Sequence, residues 1–128
     1  MIQIKYVDGR EEQLKLIRHM NIKNQTDIYS IRLIGIKHYE PQPYFRYIRE
    51  FSADNTLESI GDGFYTPNLF KIYIPESVTG LGASFLQGNK YITEFTVPKN
   101  VRTIGMDFML GSYVKKVTFD GALDLVSF

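Results

Sequence analysis

Residues 57–75 read LESIGDGFYTPNLFKIYIP, and the chain then uses the same apolar spacing twice more. Each copy has Leu or Val, then Ile or Leu followed by Gly, then Phe three residues after that Gly, and finally a short β-branched and aromatic run. The copies begin at Leu57, Val78 and Val101. A repeat of this period predicts a solenoid, in which each copy buries its apolar side against its neighbours.

The residues of one copy predict a short extended segment, a glycine turn, an inward Phe and a strand. The predicted strands at 72–74, 95–97 and 117–119 alternate apolar and wetter positions, as strands with one covered face do. We expect parallel stacking to align Phe64, Phe85 and Phe108 in one internal column. Tight turns are expected at three glycines, with positive φ as one way to form them: Gly61, Gly82 and Gly105.

One charged residue precedes each predicted strand, and its sign alternates along the chain. If adjacent strands are in register, each charge lies beside an opposite one, which stabilises a strand pair by about 0.2–1 kcal/mol. Coincidence is the alternative explanation for so short a series. The series is Glu50, Lys71, Glu94 and Lys116.

The pattern resembles the BspA-like class of leucine-rich repeats over roughly residues 48–126. This resemblance implies a curved solenoid used for adhesion and protein binding, with no catalytic repeat residues, typically displayed by bacteria and some protists. The chain departs from the class in its short length, in having no cysteine at the loop position and in showing no export signal. The resemblance is carried by Leu57-x-x-Ile60-Gly61-x-x-Phe64, by Ile72-Tyr73-Ile74-Pro75-Glu76-Ser77-Val78-Thr79 and by Val97-Pro98-Lys99-Asn100-Val101-x-x-Ile104-Gly105.

The whole chain is predicted to form a single domain, residues 1–128. It is a β-rich, leucine-rich-repeat-like, right-handed stack of parallel strands with about three full repeats at 48–128. Residues 1–47 form a cap and one decayed repeat, which opens at Ile31 and closes at Ile48, Phe51 and Ala53. Asp8-Gly9 predicts a two-residue turn of an N-terminal β-hairpin that covers the end of the stack. The alternative is a helix over residues 10–20, whose composition favours one.

Two regions are candidates for contact with a protein partner. The first is the loop at 38–47, which interleaves two prolines with aromatic residues and an arginine, the types enriched at binding hot spots. Its alternative role is packing over the hydrophobic end of the cap. The candidate residues of this loop are Tyr39, Tyr44, Phe45, Arg46 and Tyr47.

The second region is a stripe of residues just before the apolar residue that ends each loop. Stacking brings these positions to one flank, where tyrosine offers a large contact area at little entropic cost. Shielding of strand edges from water is the alternative role. The stripe comprises Tyr47, Asn68, Tyr91 and Tyr113, with Phe70 and Lys115 next to it.

Composition argues against several other functions. A formal net charge of +1 does not suit a nucleic-acid binder, and the lack of cysteine removes disulfides and thiolate metal sites. His19 and His38 have no other His or Cys at metal-ligand spacing, and no nucleophile elbow, Walker loop or dinucleotide motif occurs. We therefore expect no enzyme, no cofactor, no metal, no nucleic acid and no membrane partner.

The expected function is a non-enzymatic protein-binding module, such as a small intracellular interaction or inhibitor protein of phage or mobile-element origin. The alternative is a fragment or leaderless form of a bacterial surface adhesin that binds a host or matrix protein. Localisation is expected to be cytoplasmic if Met1 is the native start, and otherwise secreted or at the cell surface. Leu123-x-x-Val126 reproduces the opening of a further copy, so we expect homo-oligomers through the C-terminal end of the stack, unless Leu125 and Phe128 cover that end.

Overall fold

In the computed structural model, which describes residues 1–15 and 25–121, short strands alternate between two sides of a coil. Two single-turn 3-10 helices, Gln25–Asp27 and Pro43–Phe45, interrupt them. The strands are β1 (Ile2–Tyr6), β2 (Glu11–Leu14), β3 (Ile28–Leu33), β4 (His38–Tyr39), β5 (Glu50–Ala53), β6 (Ser59–Ile60), β7 (Lys71–Ile72), β8 (Gly80–Leu81), β9 (Glu94–Val97), β10 (Thr103–Ile104) and β11 (Lys116–Phe119).

The strands form the sides of a β-solenoid with parallel pairing between successive turns. One side is a five-stranded sheet in the order β2-β1-β3-β5-β7, continued by the pair β9 and β11. The other side is a four-stranded sheet in the order β4-β6-β8-β10. All pairs between repeat strands are parallel, which confirms the predicted solenoid.

An aromatic column fills the space between the two sides. The Phe64 and Phe85 rings stack with centroids 5.3 Å apart, and Phe85 and Phe108 stack at 5.9 Å. Phe51 and Phe95, from the facing strands, lie edge-on or tilted against this column at 5.1 Å from Phe64 and 5.5 Å from Phe85. The predicted column is therefore confirmed, and it is the core of the molecule.

The N-terminal hairpin is confirmed, and β1 pairs antiparallel with both β2 and β3. Ile2, Ile4 and Tyr6 of β1 are buried, so the hairpin covers the first turn by extending the sheet. The two-residue turn was wrong, because Lys5 pairs with Glu11 and the Gly9 N–H donates to the Tyr6 carbonyl. The result is a longer loop that ends with Gly9 at φ 92°. Of the helix alternative, residues 11–14 are strand and residues 16–20 lie outside the described part.

The decayed first repeat begins later than the sequence indicated. Ile31 pairs with Phe51 and Leu33 with Ala53, so residues 28–33 form a closing strand of the repeat and not its opening. The opening position belongs to Tyr39, which pairs with Ile60. Two apolar residues at positions i and i+2 fit a strand that opens a repeat as well as one that closes it. The sequence pattern alone therefore could not show which of the two residues 31–33 form.

The repeat glycines do not have positive φ, which corrects that expectation. Positive φ occurs instead just before the column Phe, at Gly63, Ser84 and Asp107. Two of the repeat glycines, Gly82 and Gly105, are required by close approach: a Cβ on Gly82 would lie 2.5 Å from the carbonyl carbon of Gly61 in the previous turn. A Cβ on Gly105 would collide in the same way with the backbone of residues 82 and 83.

The alternating charges are register partners in two places. Glu50 lies opposite Lys71, and Glu94 lies opposite Lys116. The five-stranded sheet ends at β7, so Lys71 and Glu94 are not paired within one sheet. The prediction of opposite charges on adjacent strands is therefore confirmed for two of its three neighbouring pairs.

Candidate protein-binding surface

The aromatic loop at 38–47 is largely part of the core. Tyr39 and Phe45 are only 1% and 2% exposed, and Tyr39 contacts Phe51 and Phe64 with ring centroids 5.9 and 6.4 Å apart. Burial raises the pKa of Tyr39 well above its ordinary value. Tyr44 also packs against the core, half-buried. Packing, the alternative role of this loop, accounts for these three side chains.

Arg46 and Tyr47 lie at the end of the same loop and are more accessible. Arg46 is exposed, and its guanidinium carbon lies 5.7 Å from the centroid of the half-buried Tyr47 ring. Arginine stacked on an aromatic ring is partly pre-organised for contact with a partner. These two residues stay candidates for the partner surface, at its N-terminal edge.

The stripe residues Asn68, Tyr91 and Tyr113 lie on three consecutive turns just before β7, β9 and β11; Asn68 is half-buried, and Phe70 lies next to it. Phe70, Tyr91 and Tyr113 are 50%, 58% and 61% exposed, which is unusual for such large side chains. Their turns are in register, since the Lys90 N–H donates to the Pro67 carbonyl and the Tyr113 N–H donates to the Asn89 carbonyl. Tyr91 and Tyr113 therefore occupy equivalent positions on successive turns, and Phe70 lies two residues beyond the equivalent position, Asn68, on the turn before them.

A buried asparagine fixes the backbone from which Tyr91 projects. The Asn89 side chain is fully buried and donates through Nδ2 to the carbonyls of Thr66 and Leu69, both at 2.8 Å. Its Oδ1 accepts from the N–H groups of Tyr91 at 3.0 Å and Ile92 at 2.8 Å. All four hydrogen-bonding positions of this amide are used, which ties two turns together and holds the flank in place.

Sequence reasoning missed Asn89, although a signal was present. Thr66, Asn89 and Ser112 each stand two or three residues before the apolar residue that ends the loop. The Val114 N–H donates to the Oγ of the half-buried Ser112 at 3.3 Å, which is a hydrogen bond within the last described turn. The recurrence marks a polar position inside an apolar repeat, and among these three residues the side chain of Asn89 bonds across two turns, whereas the Thr66 hydroxyl has no partner.

Phe70 belongs to a second cluster that extends across the flank. Its ring meets the Tyr29 ring edge-on with centroids 6.5 Å apart, and the Arg49 guanidinium lies 5.7 Å from the Tyr29 centroid. Desolvation, followed by the hydrogen bond to Glu50, raises the pKa of the Tyr29 hydroxyl. This Tyr29–Arg49–Phe70 cluster joins the stripe to the outer face of the strands.

The outer strand face forms a groove of about 640 Å³ that the sequence did not reveal. Charged side chains of both signs line it. They point away from the core because successive residues of a strand face opposite sides of the sheet. Arg32 and Tyr73 are members that sequence reasoning missed, and Tyr73 is 52% exposed. The remaining charged members that matter here are Lys5, Glu11, Glu50 and Lys71.

A His–Ser–Glu cluster, His38, Ser59 and Glu58, lies outside this groove, and strand pairing explains why these side chains are close together. His38 Nδ1 lies 2.7 Å from Ser59 Oγ, and His38 Nε2 lies 3.7 Å from the Glu58 carboxylate. His38 and Ser59 are register partners on β4 and β6, so stacking alone brings them together. Both His38 and Glu58 side chains are more than half exposed, and an ion pair in that setting contributes little. His19 lies outside the described residues.

The repeat grammar, the parallel stack and the aromatic column agree with one family. A family model described as BspA type leucine-rich repeat region (6 copies) matches residues 43–127, about two thirds of the chain. The chain belongs to the BspA-type leucine-rich repeat family. No curated protein and no solved structure matches it significantly.

Membership of this family suggests a protein-interaction module. Among the described residues there is no cluster of His, Cys, Asp or Glu side chains suited to a metal ion. The same part of the chain contains no helix with the length and apolar character needed to cross a membrane. The exposed side chains of Phe70, Tyr91 and Tyr113 form what is here called the aromatic flank, and Phe70 directly precedes Lys71 of the groove.

Proposed function

We propose that this protein is a non-enzymatic protein-binding module whose partner contacts the aromatic flank and the adjoining strand face. The observation that carries the proposal is the exposure of Phe70, Tyr91 and Tyr113, one per turn, on three consecutive turns. Tyrosine and phenylalanine on a rigid scaffold lose little entropy on binding, and aromatic residues are enriched at hot spots.

Charge on the groove supports a polypeptide partner with mixed charges. Glu11, Lys5, Glu50 and Lys71 alternate in sign across the strands, and Arg32 lies among them. A surface of this kind favours a partner with a complementary alternation and disfavours one that carries a single sign of charge. The aromatic flank supplies affinity, and the groove supplies selectivity.

The proposal is tested by crosslinking and by substitution on the flank. A photo-reactive phenylalanine analogue at position 91 should crosslink one protein in the native lysate, whereas the same analogue at position 65 should not. Tyr65 is a suitable control because it is also well exposed but lies next to the column residue Phe64 and not at the loop position that Tyr91 and Tyr113 share.

The identified partner is then titrated against the Tyr91→Ala, Tyr113→Ala double variant and the Tyr65→Ala control. Because each hot-spot aromatic contributes about 1 kcal/mol or more, the double variant should bind roughly thirtyfold more weakly. Equal affinity of the double variant and the wild type contradicts the use of this flank. In that case Arg46 and Tyr47 are the next residues to replace.

We also propose that the partner is intracellular and that the protein acts on it as an interaction or inhibitor protein. The cysteine-free composition supports this, since extracellular proteins often use disulfides. The competing proposal, an adhesin that binds a host or matrix protein, predicts the protein on the surface of the native cell. Fractionation of that cell distinguishes the two proposals. Phage or mobile-element genes next to the gene for this protein would support a phage or mobile-element origin.

A further inference from the structure

One row of side chains crosses the groove at right angles to its strands. The row takes one residue from each strand of the five-stranded sheet, and its members are successive register partners. They are Glu11, Lys5, Ser30, Glu50 and Lys71, and all of them line the groove. From β2 to β7 the row is therefore acidic, basic, neutral, acidic and basic, and no two neighbours carry the same charge.

The charges of this row are accessible to a partner. Lys5, Glu11 and Lys71 are exposed, and none of the three forms an ion pair with another described residue. Glu50 is half-buried, and its carboxylate is hydrogen-bonded to the Tyr29 hydroxyl. The strands fix the order and the spacing of these charges, so the row is pre-organised for a partner with the complementary order.

Two exposed rings adjoin the β7 end of the row. Phe70 directly precedes Lys71 and is 50% exposed, and Tyr73, two residues after Lys71, is 52% exposed. The Phe70 ring packs edge-on against Tyr29, whose hydroxyl bonds to Glu50 of the row. An occupant of the row therefore meets apolar area at its β7 end.

The spacing of the row determines which backbone conformation of a partner can follow it. Neighbouring strands lie about 4.8 Å apart, so the row from β2 to β7 is about 19 Å long. An α-helix places one side chain per turn on a given face, and four turns span about 22 Å. An extended segment places every second side chain on one face, and four such steps span about 27 Å. Of the two, only the helix keeps a side chain close to every residue of the row.

We infer that the groove binds an α-helical segment of the partner, which lies across the strands and changes the sign of its charge from turn to turn. Its basic side chains contact Glu11 and Glu50, its acidic side chains contact Lys5 and Lys71, and an apolar residue at one end contacts Phe70. This inference rests on the proposed function, because it names the kind of segment with which the partner meets the strand face. Since the charges are largely exposed, the contact weakens as the salt concentration rises.

Two alanine-rich helical peptides of identical composition test the inference. In the first, successive turns of one face carry Lys, Glu, Ala, Lys and Glu. In the second they carry Lys, Lys, Ala, Glu and Glu, and both peptides have a Leu beside the last of these residues. The first peptide matches all four charges of the row, whereas the second matches two and opposes two in either direction. Fluorescence polarisation at low ionic strength should show about tenfold tighter binding of the first peptide.

Substitutions in the protein and in the peptide locate the contact. Lys71→Glu should weaken binding of the first peptide about fivefold, and a peptide whose last Glu is replaced by Lys should recover the loss against this variant. Lys37→Glu is the matched control, because Lys37 is exposed but directly precedes β4 of the other sheet, and it should change nothing. Far-UV circular dichroism verifies that each variant is folded.

A proline in the middle of the first peptide, on the side away from the groove, tests the helical conformation. Proline breaks the helix but leaves the charges in place, so this peptide should lose most of its affinity. Undiminished binding of the proline peptide indicates an extended occupant and overturns the inference. Equal affinity of the two original peptides, or binding by neither, also overturns it.

Failure of this inference can be distinguished from failure of the proposed function. If the partner crosslinked at position 91 binds Lys71→Glu and the wild type equally well, the helix in the groove is refuted and the aromatic flank is not. If that partner binds the Tyr91→Ala, Tyr113→Ala double variant as tightly as the wild type but binds Lys71→Glu about fivefold more weakly, the groove contact is supported and the flank is refuted.

Discussion

Asn89 shows how one buried polar side chain can determine the shape of a surface several residues away. Its amide connects the carbonyls of Thr66 and Leu69 in one turn to the N–H groups of Tyr91 and Ile92 in the next. Removing it deprives the Leu69 carbonyl and the N–H groups of Tyr91 and Ile92 of their partner, whereas the Thr66 carbonyl keeps the hydrogen bond from the Leu69 N–H. The cost of an unmade buried hydrogen bond exceeds the gain from a made one, so such a position tolerates little change.

We expect Asn89→Ala to lower the free energy of unfolding by about 3 kcal/mol, because several buried backbone groups lose their partner at once. Thr66→Val is the matched control, since Thr66 Oγ1 is buried without a hydrogen-bond partner and should be replaceable at little or no cost. Urea denaturation measures both. An Asn89→Ala variant within 1 kcal/mol of the wild type would contradict the role of this amide.

Gly82 and Gly88 represent two different requirements for glycine, which are close contact between backbones and a positive φ. Gly82→Ala brings a Cβ to 2.5 Å from the Gly61 carbonyl carbon, so two turns must move apart, and we expect a loss of about 3 kcal/mol or more. Gly88 has φ +73° but open space around it, and Gly88→Ala should cost about 1 kcal/mol through backbone strain alone. Similar losses in the two variants, measured by thermal or urea unfolding, would argue against close contact between turns.

At the scale of elements, the hairpin cap depends on a hydrogen bond between its two strands. The Tyr6 hydroxyl of β1 donates to the Glu12 carboxylate of β2 at 2.5 Å, and Arg10 lies over the Tyr6 ring at 4.6 Å. Burial, followed by the bond to Glu12, raises the pKa of Tyr6 from 10.0 to about 12. The contribution of this hydrogen bond to the stability of the cap therefore depends on pH in the alkaline range.

Because the folded pKa of Tyr6 is the higher one, its contribution to stability is complete below pH 10 and is lost as the pH rises through about 12. Tyr6→Phe removes the hydroxyl and cannot ionise. The wild type should therefore exceed this variant in stability by a constant amount up to about pH 10, and the difference should shrink above it. Urea unfolding at pH 7 to 11 measures the difference, and one that stays constant up to pH 11 would exclude this coupling.

The elements that could be predicted from sequence are those whose pattern repeats. Three copies of the same spacing determined the column of Phe64, Phe85 and Phe108, the strands near them and the register that pairs Glu94 with Lys116. The first turn has a single copy of an ambiguous pattern, so Ile31 was assigned to the wrong side of the coil. Exposure was predictable for Tyr91 and Tyr113 because their position recurs, whereas for Tyr39 and Phe45 the sequence left packing and partner contact open, because the register that pairs Tyr39 with the buried Ile60 was not recognised.

At the scale of the whole molecule, each turn is stabilised by the turns on either side of it, so the ends differ from the middle. Phe85 is fully buried and stacks on Phe64 and Phe108, whereas Phe108 in the last described turn is half-buried. In a stack with nearest-neighbour contacts, stability is close to a sum over turns and their interfaces. The loss of stability when each Phe of the column is replaced by Ala therefore measures how completely the neighbouring turns cover that residue.

We expect Phe85→Ala to cost about 4 kcal/mol and Phe108→Ala about 2 kcal/mol, because the second side chain gives up less buried area. Urea unfolding followed by circular dichroism measures both. Native-state hydrogen exchange should show the same gradient, with the amides of β6 and β8 protected longer than those of β11. If Phe108→Ala costs as much as Phe85→Ala at a concentration where the protein is monomeric, the last turn is covered as completely as the middle, and the gradient is refuted.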